Sequence, residues 1–120
     1  MKKEKPDDGK FLGVLYTGYL DKKNPVSGSY KKRFVVLTQN TIHWFKRQEG
    51  NDLFGAERGQ ISLSCIVTCK ILDTDSTIFE IQTTDNQKKY FRAIVNANCE
   101  EWVSAIRCAG KVLMKKQSLP

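Results

Sequence analysis

Short apolar stretches recur along most of the chain, and polar turn residues separate one stretch from the next. Within a stretch the apolar positions alternate with polar ones, as at Phe79, Glu80 and Ile81. A period of two is typical of half-buried antiparallel strands. The pattern predicts seven strands, at residues 12–22, 33–39, 41–47, 60–64, 65–72, 77–83 and 88–95.

Near Asn98 the period changes to that of a helix. Asn98, with Glu101 three residues later, resembles a capping box and predicts that the helix starts there. One apolar stripe follows at helical spacing: Trp102, Ile106, Ala109 and Leu113. The indole that leads this stripe must be buried, and the open end of a rolled sheet offers the space. The predicted fold is therefore mainly β, a seven-stranded antiparallel partial barrel of two packed sheets, capped by a C-terminal α-helix.

The length of 120 residues is enough for one hydrophobic core. We expect a flexible tail at residues 1–10, one domain at 11–114 and a second tail at 115–120. The longest apolar run, Phe34 to Leu37, is far shorter than the ~20 residues of a membrane-spanning helix. Charged residues at 21–23 stand where a signal peptide would have small ones, so we expect a cytoplasmic location.

The net charge of +7 comes from one segment of the chain. Residues 22–47 hold seven Lys and Arg and no Asp or Glu, while the remaining 13 basic residues balance the 13 acidic ones. A solvated surface usually mixes both signs, so this imbalance favours an anionic partner.

Sequence motifs for catalysis or metal binding are weak. The chain has a single His, and Gly13 to Gly18 has the glycine spacing of a phosphate-binding loop without the Lys-Ser/Thr that should follow. The four cysteines form no C-x-x-C pair: Cys65, Cys69, Cys99 and Cys108. We therefore predict that the domain itself is not an enzyme, although a parent protein could be one, and that it has no cofactor and no metal site.

Motifs at both ends of the domain resemble those of the pleckstrin homology (PH) family. GYLDK at 18–22 and YKKRFVVL at 30–37 are similar to that family's G-[WY]-L-x-K and [WY]-K-x-R-[WFY]-F-x-L. Trp102 matches the Trp of its last helix. The likeness extends over about residues 13 to 113, and it implies the same order of seven strands followed by a helix.

The resemblance is closest to the PH domains that bind 3-phosphorylated phosphoinositides, such as phosphatidylinositol 3,4,5-trisphosphate. It implies phosphate ligands at Lys22, Lys31 and Arg33, with Arg58 on the fourth strand and Trp44 where that subset often has Tyr. The function implied is recruitment of a cytoplasmic protein to the membrane periphery in signal transduction.

The chemistry of these residue types agrees with that implication. A phosphorylated inositol is small and intensely anionic, so several cations must converge on it. Lys31 and Arg33 share one strand face, and the backbone amides of the loop at 24–29 offer further donors. Four other cations are expected to attract the anionic bilayer diffusely: Lys23, Lys32, Lys46 and Arg47.

Two other functions remain open at this stage. One is a protein- or peptide-binding module on the same fold, with only weak non-specific affinity for anionic membranes. The other is a nucleic-acid barrel that uses Tyr30, Phe34 and Trp44 as stacking platforms, although the element order fits such a barrel poorly. We expect no nucleic-acid partner and a monomer, and we leave a protein co-ligand open.

Overall fold

The structure, a computed structural model, describes residues 13–49 and 53–118. Residues 1–12, 50–52 and 119–120 lie outside the described residues, and with them the predicted tail at 1–10 and the last two residues of the predicted tail at 115–120. The elements are β1 Tyr16–Lys23, β2 Tyr30–Leu37, β3 Thr41–Phe45, β4 Gln48–Glu49, β5 Leu53–Phe54, β6 Glu57–Ser62, β7 Ile66–Ile71, β8 Ile78–Thr83, β9 Lys88–Arg92 and α1 Asn96–Ser118.

Seven of these strands form one antiparallel sheet in the order β6-β3-β2-β1-β9-β8-β7. Its two halves meet between β1 and β9, where only Asp21–Arg92 and Lys22–Phe91 are paired. The edge strands β6 and β7 do not pair, so the barrel stays open. The partial barrel with a C-terminal helix is confirmed, and its two halves are one continuous sheet rather than two separate ones.

Several strand ends differ from the prediction. The second strand begins at Tyr30 instead of residue 33, because pairing with β1 satisfies the backbone whether or not the side chains are apolar. The fourth predicted strand, at 60–64, corresponds to β6. It begins at Glu57 and ends at Ser62, where a short 3₁₀ turn leads into β7. The two-residue strands β4 and β5 were not predicted, since a pair of residues has no readable period.

The helix begins at Asn96, so the predicted capping box at Asn98 is wrong. The backbone N–H of Cys99 donates to the carbonyl of Val95, which places Asn98 inside the first turn. Asn96 instead donates through its side chain to the carbonyl of Ser76. At its other end the helix continues to Ser118, past residue 114.

The predicted helical stripe packs into the barrel. Trp102 is buried, and the ring of Tyr16 meets it edge-on with the ring centroids 4.6 Å apart. Ile106 and Ala109 are also buried, and Leu113 packs against the same core. The core therefore lies between the inner faces of the strands and α1, and the far end of the β1–β2 hairpin is left clear of the helix stripe.

Candidate functional site

The β1–β2 hairpin brings the predicted cations together. Lys22 lies directly opposite Lys31, and Leu20 lies opposite Arg33. Side chains two residues apart on a strand share a face, so Lys22, Lys31 and Arg33 all point to the inner side of the sheet. The register of β1 against β2 therefore brings the three cations of the sequence motif together in space.

Asn24 closes the hairpin loop through its side chain. Its Oδ1 accepts the backbone N–H groups of Val26 and Ser27, and its carbonyl accepts the N–H of Gly28, whose φ is +78°. The N–H of Ser29 bonds to the hydroxyl of Ser27. These amides are used inside the loop, so the expectation that they donate to a phosphate is wrong for this conformation.

All five predicted site residues line one cavity of about 300 Å³ at the open end of the barrel. They come from four strands, with Lys22 on β1, Lys31 and Arg33 on β2, Trp44 on β3 and Arg58 on β6. Four further residues complete the lining: Lys23, Asn24, Pro25 and Lys89.

The charges around this cavity are unbalanced. Six of its nine lining residues are Lys or Arg, and the described lining includes no Asp or Glu. Burial, with smaller contributions from the neighbouring Lys89 and Arg33, lowers the pKa of Lys22 to about 8. Burial and then Arg58 lower the pKa of Arg33. A cavity that holds cations against mutual repulsion is suited to an anion of high charge.

Lys22 is the most buried of these cations, with 9 % of its surface exposed. Its Nζ donates to the carbonyl of Lys23 at 2.8 Å and lies 5.3 Å from the ring centroid of Trp44 and 5.7 Å from that of Phe91. The two aromatic faces offset part of the cost of burying the ammonium. Lys22 is thus held in place before any ligand arrives.

Trp44 forms an aromatic wall of the cavity and belongs mainly to the core. It is 7 % exposed, and its ring meets that of Phe91 edge-on at 5.6 Å. The indole lies over Gly59 of β6, where a Cβ would stand 2.4 Å from the Trp44 ring. Gly59 therefore makes room for the ring that supports Lys22.

The four cations assigned to diffuse membrane contact separate in space. Lys23 lines the cavity, with its Nζ 5.0 Å from the ring centroid of Tyr90. Lys32 lies on the other face of β2, its Nζ 4.9 Å from the ring centroid of Tyr19. Lys46 and Arg47 are exposed after β3. Only Lys23 joins the cavity.

Lys89 is the lining cation that the sequence motifs missed. It lies on β9, 67 positions after Lys22, and it reaches the cavity because β9 pairs with β1. Lys88 and Lys89 are visible in the sequence as a basic pair, but no local pattern places them beside β1.

Among residues 13–49 and 53–118, no three His, Cys, Asp or Glu side chains cluster as metal ligands. The free thiols of Cys69 and Cys99 are buried, and those of Cys65 and Cys108 are exposed. No helix in these residues has the length and apolarity needed to cross a bilayer.

Comparison with known proteins places this architecture in a family. The family model for the PH domain matches residues 14–111. Human pleckstrin is 29% identical over 99 residues, which is 80% of this chain and 27% of pleckstrin, so the chain spans about a quarter of that relative's length.

Two solved structures share the fold. The C-terminal PH domain of pleckstrin, in complex with D-myo-Ins(1,2,3,5,6)P5, superposes with a TM-score of 0.71 at 23% identity, over 83% of this chain and 99% of that one. The Slm1 PH domain, described as binding its ligand in a non-canonical site, gives 0.68 at 18% identity, over 80% and 96%. The chain belongs to the PH domain family, whose members are non-catalytic modules.

Proposed function

We propose that this domain binds phosphoinositide headgroups in the cavity at the open end of the barrel and so recruits its parent protein to membranes. The preferred ligands are 3-phosphorylated lipids, with phosphatidylinositol 3,4,5-trisphosphate first and the 4,5-bisphosphate weaker. The ligand-binding side chains are Lys22, Lys31, Arg33 and Arg58, with Trp44 as an aromatic wall.

The observation that carries this proposal is the six-cation lining without a described carboxylate. Burial first, and then repulsion from neighbouring cations, lowers the pKa of both Lys22 and Arg33, so both effects raise the free energy of the empty charged site. A ligand with several phosphates removes that repulsion on binding, and Arg33 adds a planar fork for one phosphate. The volume of about 300 Å³ matches one small ligand.

Preference for the 3-phosphate is supported by the positions of the cations. Lys22, Lys31 and Arg33 match the spacing of the subset that reads this phosphate, and Arg58 lines the same cavity from β6. Lys89 adds a fifth cation that this spacing does not include. More phosphates on one ring engage more of these cations, which favours the trisphosphate.

The surroundings of the cavity suit a membrane surface. Val26, at the tip of the β1–β2 loop, is 95 % exposed beside the cavity-lining Pro25. An exposed apolar side chain at a loop tip gains free energy by entering the headgroup region. Lys32, Lys46 and Arg47 lie outside the cavity and add diffuse attraction to anionic lipid.

The nucleic-acid alternative loses its stacking platforms. Phe34 and Trp44 are buried, so neither face is open to a base. Tyr30 is already stacked by the guanidinium of Arg92, 4.3 Å from its ring centroid.

Calorimetry with soluble headgroups tests the proposal. We expect inositol 1,3,4,5-tetrakisphosphate to bind more tightly than inositol 1,4,5-trisphosphate. Arg33→Ala should lose about 2–4 kcal/mol, roughly 30- to 700-fold in affinity, because its charged partner is left unpaired. Lys32→Ala, on the other face of β2, is the matched control and should change headgroup affinity little.

Each part of the proposal has its own contrary result. Equal affinity for the two headgroups contradicts the 3-phosphate preference and leaves the site standing. An Arg33→Ala variant that binds as tightly as the wild type contradicts the site itself.

A further inference from the structure

A second concave surface lies on the opposite half of the sheet, between edge strand β7 and helix α1. It encloses about 680 Å³, more than twice the volume of the cation-lined cavity. Its lining is largely apolar and includes Leu63, Ile66, Val67, Ile106, Leu113 and Met114. We call it the β7–α1 groove, and it shares no lining residue with the cavity at the hairpin.

Large apolar side chains of this groove are exposed to water. Val67 is 56 % exposed and Met114 is 69 % exposed, on the two opposite walls. Apolar walls that face each other across an open groove are more typical of a binding site than of a solvated surface.

Gly110 keeps the groove open. It lies within α1, where glycine weakens a helix relative to alanine. A Cβ at this position would meet no described atom within 4 Å, so packing within the domain does not require glycine. Gly110 lines the groove, and a larger side chain at this position would project into it. A residue that weakens its own helix without serving the fold points to a binding role.

The edge of β7 is protected against pairing with another strand. Its ladder with β8 is interrupted by a bulge between Ile66 and Thr68. Arg107 reaches across from α1, and its Nε donates to the carbonyl of Cys69 at 2.8 Å. Bulges and occupied edge carbonyls are devices that discourage strand addition. The bulge and the occupied carbonyl therefore favour an occupant that binds through side chains, as a helix does, over one that adds a strand.

The charge of the groove selects the chemistry of the occupant. Lys70, Arg107 and Lys111 line it, and its described lining has no Asp or Glu. The wall from Ile106 to Met114 is about 12 Å long at 1.5 Å per residue, which accommodates apolar anchors at i, i+4 and i+7. A flat membrane would not enter a groove between a strand and a helix, so a protein segment fits better.

We propose that the β7–α1 groove binds an acidic amphipathic helix of a partner protein. The apolar face of that helix lies against Val67, Leu113 and Met114, with one anchor over Gly110. Its carboxylates lie near Lys70 and Lys111. This site is independent of headgroup binding, so the domain has two separate recognition surfaces.

Peptide display tests the proposal on the whole chain. Random peptides of about 14 residues, long enough for about four helical turns, are selected for binding to the wild type and against binding to Gly110→Leu. We expect the enriched peptides to be acidic, with apolar residues at i, i+4 and i+7. One enriched peptide is then titrated by fluorescence anisotropy.

Two test variants, one control variant and one thermal melt are needed to interpret the titration. Gly110→Leu fills the groove and Lys111→Glu reverses its charge, and each should weaken the peptide at least tenfold. Lys115→Glu has the same charge change on the same helix outside the groove lining, and it should keep the affinity within about twofold. Gly110→Leu should melt no lower than the wild type, since leucine is the better helix former.

Three results would overturn the proposal. Enriched peptides without acidic residues or a helical spacing would remove the predicted occupant. Unchanged affinity in both Gly110→Leu and Lys111→Glu would remove the groove. Loss of binding to phosphatidylserine vesicles without phosphoinositide, in the same two variants, would assign the groove to the membrane instead.

Discussion

At Lys22, the requirements of ligand binding conflict with the stability of the fold. The Lys22 ammonium lies near the rings of Trp44 and Phe91. Burial first, then the charges of Lys89 and Arg33, lowers its pKa to about 8. A lowered pKa means that the folded state disfavours the charged form. Below pH 8 the residue is charged in both the folded and the unfolded state, and the full penalty applies.

Replacing this lysine should therefore separate stability from binding. We expect Lys22→Met to raise the melting temperature at pH 7 by roughly 5 °C, the shift for about 1 kcal/mol in a domain of this size. The difference in melting temperature between Lys22→Met and the wild type should shrink between pH 8 and 10.5. Over this range the folded wild type releases the Lys22 proton, so the free-energy cost of burying the charge disappears. Headgroup affinity at pH 7 should fall at least tenfold.

Thermal melts at pH 7 and pH 10, with calorimetry at pH 7, check this prediction. Lys31→Met is the control, since it removes a cation from the same cavity at an exposed position. It should leave the melting temperature nearly unchanged. A Lys22→Met variant that melts lower than the wild type at pH 7 would contradict our account of the buried ammonium.

At the scale of elements, α1 caps one end of the open barrel mainly through one aromatic side chain. Trp102 is 3 % exposed, and it packs with Tyr16 and lies 3.5 Å from the position that a Cβ on Gly18 would take. The indole thus fastens the last element of the chain to the first strand. This contact joins elements far apart in sequence, so the packing of the indole must outweigh the loop-closure entropy that the contact costs.

Trp102→Ala should consequently cost about 3–5 kcal/mol. That is a large share of the total stability of a small domain, so the variant should be largely unfolded at room temperature. Circular dichroism melts provide the measurement. Val112→Ala, at an exposed position of the same helix, should melt close to the wild type. An unchanged melting temperature in Trp102→Ala would mean that the helix docks by other contacts.

The hairpin is the second element that decides the site. Residues 30–32 are polar, yet they continue β2 because each backbone group finds its partner on β1. This extension sets Lys31 against Lys22, and it turns Lys32 to the other side of the sheet. A shift of one residue in register would place Lys31 and Arg33 on the outer face of the sheet, and the cavity would lose both cations.

At the scale of the whole molecule, the cations divide into a cavity set and an outer set. Lys32 and Lys46 belong to the outer set, on surfaces that do not line the cavity. Exposed charges of this kind act through a field that salt screens, whereas the cavity cations act at contact distance.

Reversing both outer charges should therefore weaken membrane binding selectively. For Lys32→Glu/Lys46→Glu we expect at least tenfold weaker binding to phosphatidylserine vesicles that contain the 3,4,5-trisphosphate lipid, at low salt. The difference in vesicle affinity between this variant and the wild type should become smaller as the salt concentration increases, because salt screens exposed charges. Affinity for the soluble headgroup should change less than threefold, and Lys115→Glu serves as the control. A parallel loss of both affinities would place these residues in the site.

The sequence by itself determined the elements and the chemical character of the site. Alternation along the strands and the stripe led by Trp102 follow from which side of a single element is buried, and that information is local. The cations around the hairpin were also readable, because Lys22, Lys31 and Arg33 lie within twelve residues of one another. Strands of two residues and the first turn of α1 were missed, since they have too few positions to show a period.

Only the tertiary structure decided what surrounds those cations. Lys89 joins them through the pairing of β9 with β1, and Gly59 admits the Trp44 ring through the pairing of β6 with β3. The β7–α1 groove likewise exists only where an edge strand faces the last helix. Each of these contacts joins residues far apart in the chain, and their registers are set by the packing of the whole barrel, which no local pattern encodes.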